Sequence, residues 1–345
     1  MGAGQLTIDL KAIQRNWSAL DALSADTVET GAVVKADGYG LSARKVATHL
    51  AESGVQTFFV ATAEEGAEIR GAVGDNADIF VFSGHMPQDT TLLKTHGLIA
   101  VLNAPEQVTR HFSDAAGYPF GVQLDTGMSR LGMEPGDWQA LSTELMLAGP
   151  RLVMSHMACA DDADHPMNAQ QLRAFHDLTD GIASRRSLSA TGGILLGPEY
   201  HFEVTRPGIG LYGGFPFETA KTVVQLDVPV IQTRVVQPFQ TVGYGCTWDA
   251  KVESCIATIA AGYADGLIRA MGGKAQVFAG TTPCPVVGRV SMDLITVDVT
   301  GLDQVPDHLT VLGPDQSIDD LAGAADTIGY EILTSLGARY QRHYA

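Results

Sequence analysis

Apolar residues along this chain follow two different rhythms. Over the first two thirds, short runs rich in β-branched, aromatic and aliphatic residues recur at 32–34, 57–61, 79–82, 98–102, 120–124, 152–154, 187–190 and 204–211. Runs of this length and composition predict buried strands. Segments with apolar residues at helical spacing lie between most of them, for example at 43–53, 63–71 and 168–184. Strand and helix in alternation predict a parallel sheet, and eight such units predict its closure into a (β/α)8 TIM-type barrel. Ahead of them, residues 5–10 alternate as a strand and 11–23 carry helical spacing. Beyond about Gly214 the helical spacing gives way to runs at 223–230, 255–263, 274–280, 284–299 and 309–313, separated by glycine, proline and aspartate. The expected architecture is therefore a barrel over 1–214 followed by a predominantly β domain over 215–345, with the boundary in the glycine-rich and aromatic stretch 212–221. The first strand is a candidate to pair with the second domain.

Composition narrows the chemistry. The 345 residues include 39 acidic and 22 basic side chains, a formal charge of -17, which disfavours nucleic-acid phosphates and anionic membrane surfaces as partners. Cys159, Cys246, Cys255 and Cys284 are scattered without a C-x-x-C pair, so neither a disulfide framework nor a zinc site is expected, and a reducing cytoplasm is. The opening MGAGQLTIDL lacks the pattern of a targeting segment, and no apolar run reaches membrane-spanning length. Soluble chemistry on a small molecule is the expectation.

In a barrel the active site lies at the carboxyl ends of the strands, so the polar residues just after each run are the chemical candidates. Those are Lys35, Asp125 with Arg130, His156, Thr191 and Arg206. Lys35 is the most informative, because a lysine at the tip of an apolar strand needs water or a chemical partner. Gly38, Gly40 and Ala43, with Glu64 some way on, fit a dinucleotide fingerprint. That reading gives no task to Lys35 or Tyr39. A second reading makes Lys35 an amine that forms a Schiff base with a carbonyl cofactor, and Tyr39 a hydroxyl that reaches the cofactor's phosphate. A third is a solvated lysine in a tight turn. In the second domain, the turns 262–266 and 288–293 concentrate Tyr263, Asp265, Arg289, Ser291, Met292 and Asp293.

The segments VVKADGYG, DTGMSRLGM, RPGIGLYGG, VGYGCTW, AAGYADGLIR, VGRVSMD and TIGYEIL, in that order, together resemble the alanine racemase family. The resemblance implies a pyridoxal 5'-phosphate enzyme of barrel plus β domain that interconverts L- and D-alanine, a cytoplasmic homodimer supplying D-alanine as a peptidoglycan precursor. It assigns the cofactor lysine to Lys35, phosphate contacts to Tyr39, Tyr330, Thr191, Gly208 and Ile209, and the residue facing the pyridine nitrogen to Arg206 with His156 beside it. Arg130 falls near the cofactor's phenolic oxygen. Tyr263 becomes the second proton carrier, and Met292 and Asp293 contact substrate, all three from the partner subunit. Departures from the family pattern fall at three sites: Gln123 stands where a lysine is often carbamylated, Leu41 and Ser42 follow Tyr39-Gly40 in place of His-Gly, and Ser291 replaces a cysteine. The amide oxygen of Gln123 could accept a hydrogen bond from Arg130.

Other activities on the same residues are a broader-specificity or serine racemase, a pyridoxal-phosphate amino acid decarboxylase, a non-catalytic cofactor-carrying barrel, and an NAD-dependent oxidoreductase. A decarboxylase needs a cysteine-bearing turn where this chain has AAGYADG and VGRVSMD. Non-catalytic relatives lack a β domain. A cofactor absorbance band abolished by borohydride separates the pyridoxal readings from the dinucleotide one.

Overall fold

The computed structural model describes residues 4–345. The chain forms two compact units, one spanning residues 14–211 with a short return at 216–219, the other comprising the N-terminal residues to Ile13, residues 212–215 and 220–345. The chain thus passes between the units over 212–219.

In the first unit, seven strands form one parallel sheet in sequence order: Ala32–Val33, Thr57–Val60, Asp78–Val81, Ile99–Leu102, Phe120–Gln123, Val153–Met154 and Arg186–Ser187. An eighth strand, Val204–Thr205, pairs in parallel with Glu29–Thr30 just ahead of the first. Its other edge meets the seventh strand, where Glu203 N–H donates to the Arg186 carbonyl (3.1 Å) and Arg206 N–H to the Ser189 carbonyl (2.9 Å). The sheet is therefore closed. Thr57–Val60, Ile99–Leu102 and Phe120–Gln123 are buried along their whole length, as parallel strands covered on both faces must be. Phe59 stacks on Phe80 and Phe82 at centroid distances of 5.2 and 5.5 Å. Helices Pro105–Asp114, Pro135–Ala148 and Pro166–Thr179 each begin on a proline, whose missing N–H costs nothing in the first turn. Arg185 joins Glu29 and Asp78 (2.5 and 3.1 Å) at the starts of their strands, the end of the barrel opposite Lys35.

Two expected elements differ. The run 204–211 is a strand only at Val204–Thr205, because Pro207 has no N–H to continue the ladder, and a 3₁₀ turn follows at Ile209–Tyr212. The helical run expected to reach Ser184 ends at Thr179, leaving Asp180 to Arg185 to lead into the next strand.

The second unit is built on the strand Val224–Val236, which holds the first strand, Gln5–Ile8, and His308–Leu312 against its first half and Ser254–Ile259 against its second, all antiparallel. Register shifts at 226/227 and 230/232 let one strand serve these neighbours. Gln5–Ile8 also pairs in parallel with Gln341–Tyr344, and Ile295–Asp298, Gln276–Ala279 and Thr282–Pro285 complete the sheet. The run 284–299 contributes to two strands, separated by the turn expected at 288–293, where Gly288 has positive φ. Two short helices, Ile318–Ala324 and Gly329–Ser335, close the unit. The first opens on a capping box between Ser317 and Asp320.

Candidate active site

Lys35 stands one residue past its strand, and the backbone after it is unusual. Ala36 (φ 52°, ψ 50°), Asp37 (54°, 45°), Gly38 (63°, 46°) and Tyr39 (55°, 39°) form one turn of left-handed helix. Each non-glycine residue costs about 1–2 kcal/mol there, so neighbours must impose the shape. Inside the turn the Val34 carbonyl accepts from Gly38 N–H (2.9 Å), and Asp37 Oδ1 accepts from Ala43 N–H (2.8 Å), which starts the helix Ala43–Glu52. The dinucleotide fingerprint needs its second glycine to open a right-handed helix around a pyrophosphate. Here the glycines belong instead to the left-handed turn that carries Lys35 and Tyr39.

The Lys35 ammonium lies 5.7 Å from the Phe82 ring centroid. Burial and the Arg130 cation lower its pKa while Glu65 opposes them. That favours a free amine, the form that attacks a carbonyl or takes a proton. His156 is held at about 3, by desolvation first and then by the charges of Arg206, Arg130 and Lys35, so its ring is neutral at physiological pH. Arg206, Arg130 and Lys35 thus all come near enough to His156 to act on it, although the four span 35 to 206 in sequence. Arg206 is buried. Burial pulls it down to about 9, still cationic at neutral pH. Its hydrogen bonds go to neutral oxygens, Ser187 Oγ and the carbonyls of Ser155 (2.7 Å) and Leu188 (3.4 Å).

Arg130 sits in a turn whose backbone is firmly tied. Asp125 Oδ1 accepts from the N–H groups of Gly127, Met128 and Ser129 at 2.8, 3.0 and 3.2 Å. Gln123, buried below the turn, donates from Nε2 to the Leu131 carbonyl at 3.1 Å. Among the described residues no hydrogen bond joins Gln123 to Arg130, so the expected contact from the amide oxygen to the guanidinium is replaced by a grip on the adjacent backbone. A carbonyl can only accept, which fixes the amide nitrogen on that side.

Gln171 was not singled out in the sequence. It is wholly buried on the helix Pro166–Thr179, donates to the His156 carbonyl (2.9 Å) and Thr126 Oγ1 (3.2 Å), and accepts from Ala158 N–H (2.8 Å). It therefore links the turn of Arg130 to the segment of His156. The available signal was the buried stripe Asn168, Gln171, Phe175 and Thr179, polar where a core-facing helix is expected to be apolar.

The residues expected to hold a phosphate also converge. Thr191 Oγ1 accepts from the N–H groups of Gly208 (3.1 Å) and Gly210 (3.2 Å), with Ile209 buried between them. The Tyr39 hydroxyl lies so close to Gly208 that a Cβ there would collide with it. A glycine-lined cradle with backbone N–H groups, two hydroxyls, a lysine of lowered pKa and a buried cation is a donor set that fits pyridoxal phosphate.

The remaining candidates belong to the second unit. Tyr263 is 43% exposed on a 3₁₀ turn, Tyr263–Asp265, and its N–H and that of Ala264 donate to the carbonyls of Ser291 and Met292, each at 3.0 Å. Met292 and Asp293 are thereby brought beside Tyr263. Arg339, also unflagged in the sequence, binds both Asp265 oxygens (2.6 and 2.9 Å) and Asp293 Oδ1 (2.7 Å). Tyr330 stands on the helix Gly329–Ser335, whose final carbonyl lies against Gly266.

Comparison with known proteins shows the family. Residues 8–216 match the family model described as alanine racemase, N-terminal domain, and residues 223–344 that of the alanine racemase C-terminal domain. The chain is 61% identical over 344 residues to an alanine racemase of Cereibacter sphaeroides, covering 100% of this chain and 99% of that protein. It is 58% identical over 345 residues to one from Dinoroseobacter shibae, with the same coverage. Among solved structures it resembles alanine racemase from Bartonella henselae with covalently bound pyridoxal phosphate (TM-score 0.94, 36% identity, 100% of both chains). The biosynthetic alanine racemase of Pseudomonas aeruginosa is equally similar (TM-score 0.94, 35% identity, 100% of both chains).

Proposed function

The chain belongs to the alanine racemase family, whose members are pyridoxal-phosphate isomerases of L- and D-alanine, and from that premise we propose that Lys35 and Tyr263 are its two proton carriers. Racemisation removes the α-proton on one face and returns one on the other. Pyridoxal phosphate, when bound, supplies the electron sink that makes this proton removable. Lys35 would hold the cofactor covalently at rest and serve one face of the substrate as a free amine. The Tyr263 hydroxyl, contributed by the partner subunit of a homodimer, serves the other.

The remaining residues set the stage for those two transfers. Tyr39, Thr191, Tyr330 and the Gly208–Ile209 backbone hold the phosphate. Arg206, which stays cationic, would face the pyridine nitrogen and disfavour its protonation, which would limit side reactions. His156 flanks the ring as a neutral group. Arg130 lies by the phenolic oxygen and the substrate, with Met292 and Asp293 of the partner subunit completing the substrate site. Support for a dimer comes from the apolar side chains that the second unit leaves exposed, among them Ile231, Val235, Phe239 and Tyr244. Among the described residues no helix is long and apolar enough to cross a membrane. A cytoplasmic enzyme supplying D-alanine to peptidoglycan assembly fits these features.

The observation that carries the reading is the Lys35 amine just past the end of its barrel strand, its pKa lowered by burial and by the Arg130 cation. Borohydride reduction of the holoenzyme followed by peptide mass spectrometry tests it. The reduced cofactor is expected on the Lys35 peptide, and a label on another lysine, or none, overturns the assignment.

A further inference from the structure

The left-handed turn after Lys35 is gripped from outside by one side chain. Glu65 Oε1 accepts the Ala36 N–H at 2.8 Å, and Glu65 Oε2 accepts the Ala61 N–H at 2.7 Å. One carboxylate thus spans the first left-handed residue and the residue that follows the neighbouring strand, Thr57–Val60. Glu65 itself lies in the first turn of the helix Ala63–Val73, capped by Thr62, where the helix dipole favours a negative charge. It is the residue next to Glu64, the acid that the dinucleotide fingerprint singles out. The exposed neighbour has no part in this contact.

We propose that Glu65 is a positioning residue for the Lys35 amine, holding the strained turn that presents Lys35 and Tyr39 and supplying the negative charge that opposes Arg130. The proposal rests on the reading of Lys35 given above. Two independent observations carry it. The first is the bidentate clamp, since a strained backbone persists only where its surroundings impose it. The second is charge balance. Of the charges that act on Lys35, Arg130 is the cation and Glu65 the opposing anion.

Two substitutions separate the roles. Glu65→Gln keeps the size and one acceptor oxygen but removes the charge and turns an N–H against an N–H. Glu65→Asp keeps the charge on an arm too short for both contacts. In each holoenzyme, the pH dependence of kcat is measured for L-alanine and for D-alanine, and cofactor fixed to the Lys35 peptide by borohydride is quantified. The acid limb of kcat reports the base of the substrate complex. With Glu65→Gln it is expected to move to lower pH by roughly one unit for one enantiomer and stay in place for the other, because only one face uses Lys35. A general loosening of the fold would move neither limb selectively. With Glu65→Asp the limb stays and labelling of Lys35 falls. Limbs for both enantiomers at the wild-type pH in Glu65→Gln overturn the proposal. So does wild-type labelling in Glu65→Asp, which decides the matter if the glutamine variant does not fold. Lys35→Ala serves as the control: full labelling there defeats the Lys35 reading itself, whereas its loss with unshifted Glu65→Gln defeats the Glu65 proposal alone.

Discussion

The turn that carries Lys35 and the turn that carries Tyr263 are both short, both flanked by glycine and both tied down by a carboxylate. Glu65 accepts two backbone N–H groups around the first, and Asp265 accepts the Gly262 N–H and the Arg339 guanidinium around the second. They differ in strain and enclosure. Three non-glycine residues of the Lys35 turn sit in the left-handed region, and the amine is desolvated. The Tyr263 turn is an unstrained 3₁₀ turn with a side chain 43% exposed. The two proposed proton carriers, one tuned within its own chain and one open to solvent, fit a site whose second half is finished by another subunit.

The most decisive way to break that comparison is complementation. Lys35→Ala and Tyr263→Phe should each lower racemisation by about 10²–10⁴-fold, the usual worth of a positioned acid or base. Mixed as a dimer, they should recover one working site in two. No recovered activity after demonstrated subunit exchange would show that Tyr263 acts within its own chain.

Arg339 sharpens the comparison from the Tyr263 side. Lysine cannot reproduce a bidentate hold on Asp265 while also reaching Asp293. Arg339→Lys should therefore lower kcat by up to about 10²-fold, the cost of misplacing a reacting group by an ångström, while Lys35 still retains the cofactor. Steady-state kinetics with the absorbance spectrum as control would check it. Unchanged kcat would mean that the Ser291 and Met292 carbonyls suffice to fix the turn.

From the Lys35 side, Gln123→Met removes the grip on the Leu131 carbonyl while keeping side-chain volume. Turnover should fall by roughly the equivalent of one neutral hydrogen bond, about tenfold or less. Wild-type turnover should be indifferent to removal of bicarbonate, since an amide cannot be carbamylated. A bicarbonate requirement in the wild type would refute this account of Gln123.

The smallest effect lies away from both turns. His85 and His111 are buried with ring centroids 5.3 Å apart, and burial lowers both pKa values. The folded state then binds fewer protons than the unfolded chain near pH 6.5. Their contribution to stability is full above that pH and is lost as the pH falls below it. Thermal unfolding should shift down by a few degrees between pH 7.5 and 5.5, and His85→Gln should flatten the dependence. An identical slope in the variant would place the titration elsewhere.

The barrel was legible because its strands are buried on both faces and its helices on one, so the period of apolar residues marks each strand–helix unit. The short strands of the second unit were harder. The stretch 284–299 reads both as an apolar run and, over 288–293, as a polar turn, and the tertiary fold keeps the turn and splits the run into two strands. Lys35, Arg130, His156, Thr191 and Arg206 were legible as chemistry because each is a polar residue at the end of an apolar run. Glu65, Gln171 and Arg339 were not, since an acid in a first helical turn, a glutamine in a helix and an arginine near the chain end are each ordinary in sequence. Their significance lies in partners 29, 15 and 74 positions away.

The sequence by itself determined the barrel, the β domain and the family to which this chain belongs, because local periodicity and ordered motifs survive without coordinates. Only the tertiary structure decided the handedness of the turn after Lys35, the Leu131 carbonyl as the partner of Gln123, and which of two adjacent glutamates grips the turn. Left-handed backbone at alanine, aspartate and tyrosine is locally unfavourable, so no local signal can announce it. It exists because a carboxylate from the helix Ala63–Val73 and the Val34 carbonyl make the alternative worse.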